Sequence, residues 1–145
     1  MTQIFILLIV GYVVGSFAEK QHYKSIKRRE RTTLHFPMMN YGAKQPIPEA
    51  NESALIVGSV VVSADYFKMF ASSLRNLVGG RVVAYESVID RGRREAILRM
   101  KEQAISWGGS QIVNVRLETS SIGKQASGGK GLFAVEVIAY GTVLR

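Results

Sequence analysis

Residues 133–144 read FAVEVIAYGTVL, and the alternation within them decides how the chain must fold. Phe133, Val135, Val137, Ala139 and Val143 form one face of an extended strand, and Ala134, Glu136, Ile138 and Tyr140 form the other. A strand apolar on both faces needs cover on both faces. Upstream, Val113, Val115, Leu117 and Thr119 alternate with Asn114, Arg116 and Glu118, the period of a half-buried strand that pairs with the last one as a hairpin. LIVGSVVV at residues 55–62 is a short β-branched run bounded by polar residues and reads as a third strand.

Between the first strand and the hairpin the period changes from two to 3.6. Asp65 offers an N-cap oxygen, and Phe67, Phe70, Ala71, Leu74, Leu77 and Val78 follow the spacing of one buried helix face up to Gly79–Gly80. A second helix is predicted from Val83 to Trp107, with Tyr85, Val88, Ile89, Ala96, Met100, Ala104 and Trp107 on one stripe. Asp90–Arg94 and Glu95–Arg99 are i,i+4 pairs on its other side, and Gly108–Gly109 closes it. Gly92 costs about 1 kcal/mol relative to Ala in a helix interior, so it implies either a kink or close packing. The expected fold is α+β, a small antiparallel sheet with two helices. Those helices can cover one face of the sheet, and a second subunit is the simplest cover for the other.

Ahead of this unit lies TQIFILLIVGYVVGSFA, residues 2–18, without a charged side chain. A run of about 17 apolar residues is at the lower limit for crossing a hydrocarbon core of about 30 Å. Lys20, Lys24, Lys27, Arg28, Arg29 and Arg31 all follow it. By the positive-inside rule the expectation is a single-pass helix in the inner membrane, N-terminus outside, with a cytosolic C-terminal domain. The rival is a signal peptide cleaved after Ala18, with the small residues Ser16 and Ala18 at its −3 and −1 positions, leaving a secreted or periplasmic protein, but the positively charged n-region of a signal peptide is missing. Residues 19–31 hold half of the net charge of +8. Lys24, Lys27, Arg28, Arg29 and Arg31 are candidate contacts to anionic lipid headgroups, and setting topology explains them equally well. Gly11 and Gly15 form a G-x-x-x-G that permits helices to pack closely within the span. Residues 32–53 contain all three prolines and read as a linker ahead of a domain at 54–145, with Leu34, Phe36 and Met38 alternating as a short strand would.

Composition removes several chemistries. Cysteine is absent, so there are no disulfides, no thiolate nucleophile and no cysteine metal ligands. His22 and His35, the only histidines, stand thirteen residues apart. Residues 123–130, GKQASGGK, superficially resemble a phosphate-binding loop, but Gly129 occupies the lysine position and the segment joins two strands. No nucleophile–base pair can be named, so no enzymatic activity is expected. No aromatic interleaving accompanies the basic run, which argues against a nucleic-acid partner.

LIVGSVVVSADYFKMFASSLRNLVGGRVVAYESVIDRGRREAI (residues 55–97), QAISWGG (103–109), IVNVRLE (112–118) and AVEVIAYGTVL (134–144) together resemble the YbjQ family, which is labelled a heavy-metal-binding domain. The most specific piece is Val78, Gly79, Gly80, Arg81, Tyr85 and Glu86. The resemblance implies a small α+β subunit, layered like that of a dodecin, that assembles into a ring-shaped homopentamer. It implies no catalytic activity. Gly79, Gly80, Arg81, Tyr85 and Glu86 are then structural or interface residues. The label invites a metal cofactor, whereas the ligand supply argues against one, since soft ions want Cys or His at short spacing. Three function classes follow. The first is a non-enzymatic membrane-anchored oligomeric scaffold or adaptor, whose partners are further copies, membrane lipids or another membrane protein. The second is a pore or channel component, and the third a metal- or ligand-binding module. Thr2, Gln3, Tyr12 and Ser16 make no continuous polar stripe, which favours the scaffold over the pore.

Overall fold

The computed structural model describes residues 2–63, 83–122 and 134–145. The helix expected over 65–78, the Gly79–Gly80–Arg81 signature and the glycine-rich segment 123–130 lie outside the described residues. In chain order the elements are α1 (Thr2–Thr32), β1 (Met38–Met39), β2 (Ser53–Ser63), α2 (Val83–Ser106), β3 (Gln111–Ile122) and β4 (Ala134–Leu144). The strands form one sheet in the order β1-β3-β4-β2.

β4 lies between β3 and β2. It pairs antiparallel with β2 over the whole length, from Ser53↔Leu144 to Ser63↔Ala134, and antiparallel with β3. The β3–β4 ladder shifts register between Val113 and Arg116, where Asn114 adopts a φ of 56°. Asparagine tolerates that left-handed conformation better than most residues. The bulge turns the Val115 backbone towards Asn40. The Val115 N–H donates to Asn40 Oδ1 at 2.7 Å, and Asn40 Nδ2 donates to the Val115 carbonyl at 3.4 Å. The Asn40 carboxamide thus continues β1, whose two residues pair parallel with Ile112 and Val113. The expected antiparallel sheet is therefore a mixed one, because a fourth strand comes from the proline-containing stretch. Phe36 and Thr33 of that stretch are buried.

α2 covers one face of the sheet. Ala96, Met100 and Ala104 pack on Ile56, Ile112, Val135, Val137, Ala139 and Val143, with Ile89 and Trp107 at the ends of the same stripe. Small residues bring the backbones together. A Cβ on Gly58 would meet the Ala96 carbonyl and the Met100 amide, and one on Gly92 would lie 2.9 Å from Val137 Cγ2. Gly92 therefore marks close packing and α2 continues through it. Two polar side chains of α2 reach the outer edge of the sheet. Gln103 Oε1 accepts from the Val57 N–H at 3.0 Å, and Arg99 Nη1 donates to the Ser59 carbonyl at 2.8 Å. On the opposite face of the sheet Leu55, Val57 and Val61 remain exposed, beside half-buried Ile138 and Tyr140.

The N-terminal segment departs most from expectation. α1 is one helix of 31 residues, unbroken through Ser16 and Ala18 and on through the basic cluster. Its uncharged part, residues 2–18, rises only about 26 Å at 1.5 Å per residue, short of a hydrocarbon core of about 30 Å. Among the described residues no helix is long and apolar enough to cross a membrane. The assignment as a single-pass inner-membrane protein with an outside N-terminus is corrected accordingly. The C-terminal half of α1 instead packs against the outer side of α2, where Ile26 and Leu98 are both fully buried and neither belongs to the sheet-side core.

Gly58→Ala forces a methyl group into the α2 backbone and is expected to destabilise the fold by about 1–3 kcal/mol, the usual penalty of overpacking. Urea denaturation of the two proteins measures it. Equal midpoints would mean that the helix does not approach the sheet this closely.

Candidate functional site

The most highly organised polar cluster among the described residues lies where α1 meets α2. Arg29 on α1 places its guanidinium between two carboxylates of α2. Nη1 donates to both oxygens of Glu95 at 3.0 and 2.8 Å, and Nε and Nη2 each donate to Glu102 at 2.7 Å. Glu95 is almost fully buried and accepts a further bond at 2.9 Å from Arg99 Nε. Arg99 in turn holds the Ser59 carbonyl, so polar contacts run from α1 through α2 to β2. A second bridge has the opposite sense. Arg94 of α2 donates to both oxygens of Glu30 on α1, at 2.7 and 2.6 Å, with Asp90 3.8 Å away. Both expected i,i+4 pairs are present, but they are the minor members of a network between helices.

The charges are set by their neighbours. Hydrogen bonds to Glu102, and then to Glu95, hold Arg29 even more firmly protonated than an ordinary arginine, against the opposing effect of burial. Burial pushes the Glu95 carboxyl up, but the bonds from Arg29 and Arg99 outweigh it and leave Glu95 below its ordinary value of 4.5. Glu30 is also lowered, chiefly by its bonds from Arg94, with help from Lys27 and Lys101. The end of α1 is closed locally. The Arg29 carbonyl accepts from the Thr32 and Thr33 hydroxyls at 2.8 and 2.9 Å, and Lys101 Nζ donates to the Thr33 carbonyl at 3.4 Å. Beside this junction opens a cleft of about 400 Å³, whose walls include Lys27, Arg31, Arg94 and Lys101 and, between them, Leu34, Ile97 and Leu98.

The residues singled out in the sequence are distributed unevenly around this junction. Arg29 is turned onto carboxylates, while Lys24, Lys27, Arg28 and Arg31 are exposed. Gly11 faces open space and Gly15 is half-buried on α1. Tyr85 stands in the first turn of α2, and Glu86 beside it is exposed and makes an interaction of its own. Glu95, Leu98 and Glu102 were not anticipated as a group. Their spacing of three and four residues marks a helix face opposite the core stripe, and Ile26 and Arg29 on α1, with Thr33 just beyond its end, repeat it.

Removing Arg29 leaves a buried carboxylate with half its partners. Arg29→Met is expected to cost about 1–3 kcal/mol, the penalty of an undersatisfied buried group. Because Glu30 and Glu95 titrate lower when folded, their contribution is complete above about pH 4.5 and fades as the pH falls through their depressed values. Urea midpoints at pH 3.5 and 6 should therefore differ less in the variant than in the parent. An equal pH dependence in both would mean that Arg29 does not hold the Glu95 carboxylate.

Comparison with known proteins agrees with the resemblance carried by the sequence. A family described as "Putative heavy-metal-binding" matches residues 44–145, so α1 and β1 lie ahead of the matched region. A UPF0145 protein of Clostridium novyi is 36% identical over 97 residues, covering 67% of this chain and 86% of that protein. One from Halobacterium salinarum is 37% identical over 109 residues, covering 73% and 97%. One from Clostridium perfringens is 39% identical over 90 residues, covering 62% and 77%. The chain belongs to the YbjQ family, whose members in these organisms carry the designation UPF0145.

Proposed function

We propose that this chain is a non-enzymatic, self-associating module, in which copies close into a ring and present a surface on which partners are arranged. The observation that carries the reading is the uncovered face of the sheet. Leu55 and Val61 are 70% and 58% exposed, and Val57 and Tyr140 sit opposite each other across the β2–β4 ladder. An aliphatic face of this kind, rimmed by Arg116, Glu118 and Glu136, is the pattern of a protein contact surface. The outer edge of β2 is less suited to association, since Gln103 and Arg99 already occupy backbone groups there. The contact is therefore made face-on by another copy. Head-to-tail contacts of one kind end without forming filaments only by closing, and five copies is what the family resemblance implies. Ile9, Val10, Val13 and Val14, exposed around Gly11 on α1, give the copies a second apolar surface to share.

The family description raises heavy-metal binding for this chain as well. The residues present do not fit such an ion. There is no cysteine, and His22 and His35 are exposed on separate segments. Among the described residues no three His, Cys, Asp or Glu side chains gather into a ligand set. Glu30, Glu95 and Glu102 are each already held by arginine.

Light scattering of the full chain should give a single multimer, and replacing both Val57 and Tyr140 by Glu should reduce it to monomer with an unchanged circular dichroism spectrum. A monomeric parent protein, or a double variant that stays assembled, refutes the reading. Dialysis against a chelator should leave the multimer and its thermal midpoint unchanged. A lowered midpoint would assign a structural metal.

A further inference from the structure

The cleft between α1 and α2 is independent of the sheet face and has its own chemistry. Its walls bring together Lys27, Arg31, Arg94 and Lys101 with Glu30 as the single carboxylate. Both oxygens of Glu30 are engaged by Arg94, so that pair cancels itself. Three cations remain. Lys27 and Arg31 are exposed and make no ion pair among the described residues, and the bond recorded for Lys101 is the long one to the Thr33 carbonyl. The competing negative charge at the end of α1 is reduced, because the Arg29 and Thr33 carbonyls are already bonded.

The apolar part of the cleft is equally specific. Leu34 is 73% exposed at its mouth, Ile97 is half-buried in its wall, and Leu98 is buried behind them. Leu34 beside three cations offers a ligand with a charged end and a hydrocarbon end a surface for each. The volume of about 400 Å³ falls in the range of small-molecule sites.

We infer that this cleft binds a single-chain amphiphile with a phosphate-ester head, the phosphate held by Lys27, Arg31 and Lys101 and the first part of the chain lying on Leu34 and Ile97. A dianionic phosphate answers three cations better than a carboxylate does, and the planar fork of Arg31 matches two of its oxygens. The site owes its existence to α1. Lys27, Arg31 and Leu34 all precede the family-matched region, whereas Ile97 and Lys101 lie within it. The ligand thus distinguishes this chain from relatives that consist of the matched domain, and the inference stands whether or not copies assemble through the sheet.

Calorimetric titration of the full chain with octyl phosphate below its micellar concentration, with inorganic phosphate and with octyl glucoside tests this. Octyl phosphate should bind at least about tenfold tighter than inorganic phosphate, a difference of about 1.4 kcal/mol, and octyl glucoside should not bind. The double variant Arg31→Gln, Lys101→Gln should lose about tenfold of the octyl phosphate affinity. Leu34→Gln, a change at an exposed position that the fold tolerates, should bring octyl phosphate down to the level of inorganic phosphate. Equal binding of the two phosphates to the parent protein would reduce the cleft to a patch of positive charge and overturn the inference. So would binding of octyl glucoside, or variants that bind like the parent. Sedimentation with phosphatidic-acid vesicles without any heat from octyl phosphate would place the interaction on a bilayer surface instead, and would also refute the cleft.

Discussion

α2 lies so close to the sheet that a methyl group on Gly58 cannot fit beneath it, and most other features follow from that approach. A helix this near must present small side chains, which is why Ala96 and Ala104 alternate along the contact with the single long, adaptable Met100. The same nearness lets Gln103 and Arg99 reach backbone groups of β2. It also fixes the rotation of α2 about its axis. Once the alanine stripe faces inward, Glu95, Leu98 and Glu102 must face outward, and α1 has one place to dock.

The docking is a matter of direction more than of strength. Exposed ion pairs contribute little, and even buried pairs return much of their attraction as lost hydration. Arg29 with Glu95 and Glu102, and Arg94 with Glu30, are charge pairs of opposite sense on the two helices, each bidentate. A shift of one helix turn along α2 would bring Arg29 away from Glu102 and Glu30 away from Arg94 together. The apolar contact at Ile26 and Leu98 supplies attraction, and the crossed charges choose the register.

Much of this fold is legible in the residues themselves. The period-two runs locate β3 and β4, the β-branched run locates β2, and the i,i+4 pairs and the stripe locate α2, while Gly92 leaves a kink and close packing both open until the fold decides for packing. β1 is legible only in part: the alternation of Leu34, Phe36 and Met38 suggests a short strand, but the strand is only Met38–Met39, and its parallel pairing, which leans on the side chain of Asn40, has no signal in the sequence. α1 misled for a different reason. An apolar run followed by Lys and Arg has the same pattern whether its cations meet headgroups or carboxylates, and the carboxylates that settle Arg29 stand 66 and 73 residues further along the chain. Arg29 is one of six cations in its segment. Only the fold tells it from Arg28. The cleft is illegible for the same reason, since its cations and its aliphatic side chains come from α1, the turn that follows it and α2.

Gln103 gives the outer rim of the sheet a timing property. The Val57 N–H lies on an edge strand, where amides ordinarily exchange freely with solvent, yet it is bonded to a side chain of α2. Its exchange with deuterium is therefore coupled to the seating of the helix and not to the opening of the β2–β4 ladder. Slow exchange at Val57 beside fast exchange at its edge neighbours would report local unseating of α2 on its own, separating the free energy of that event from the free energy of unfolding the whole sheet.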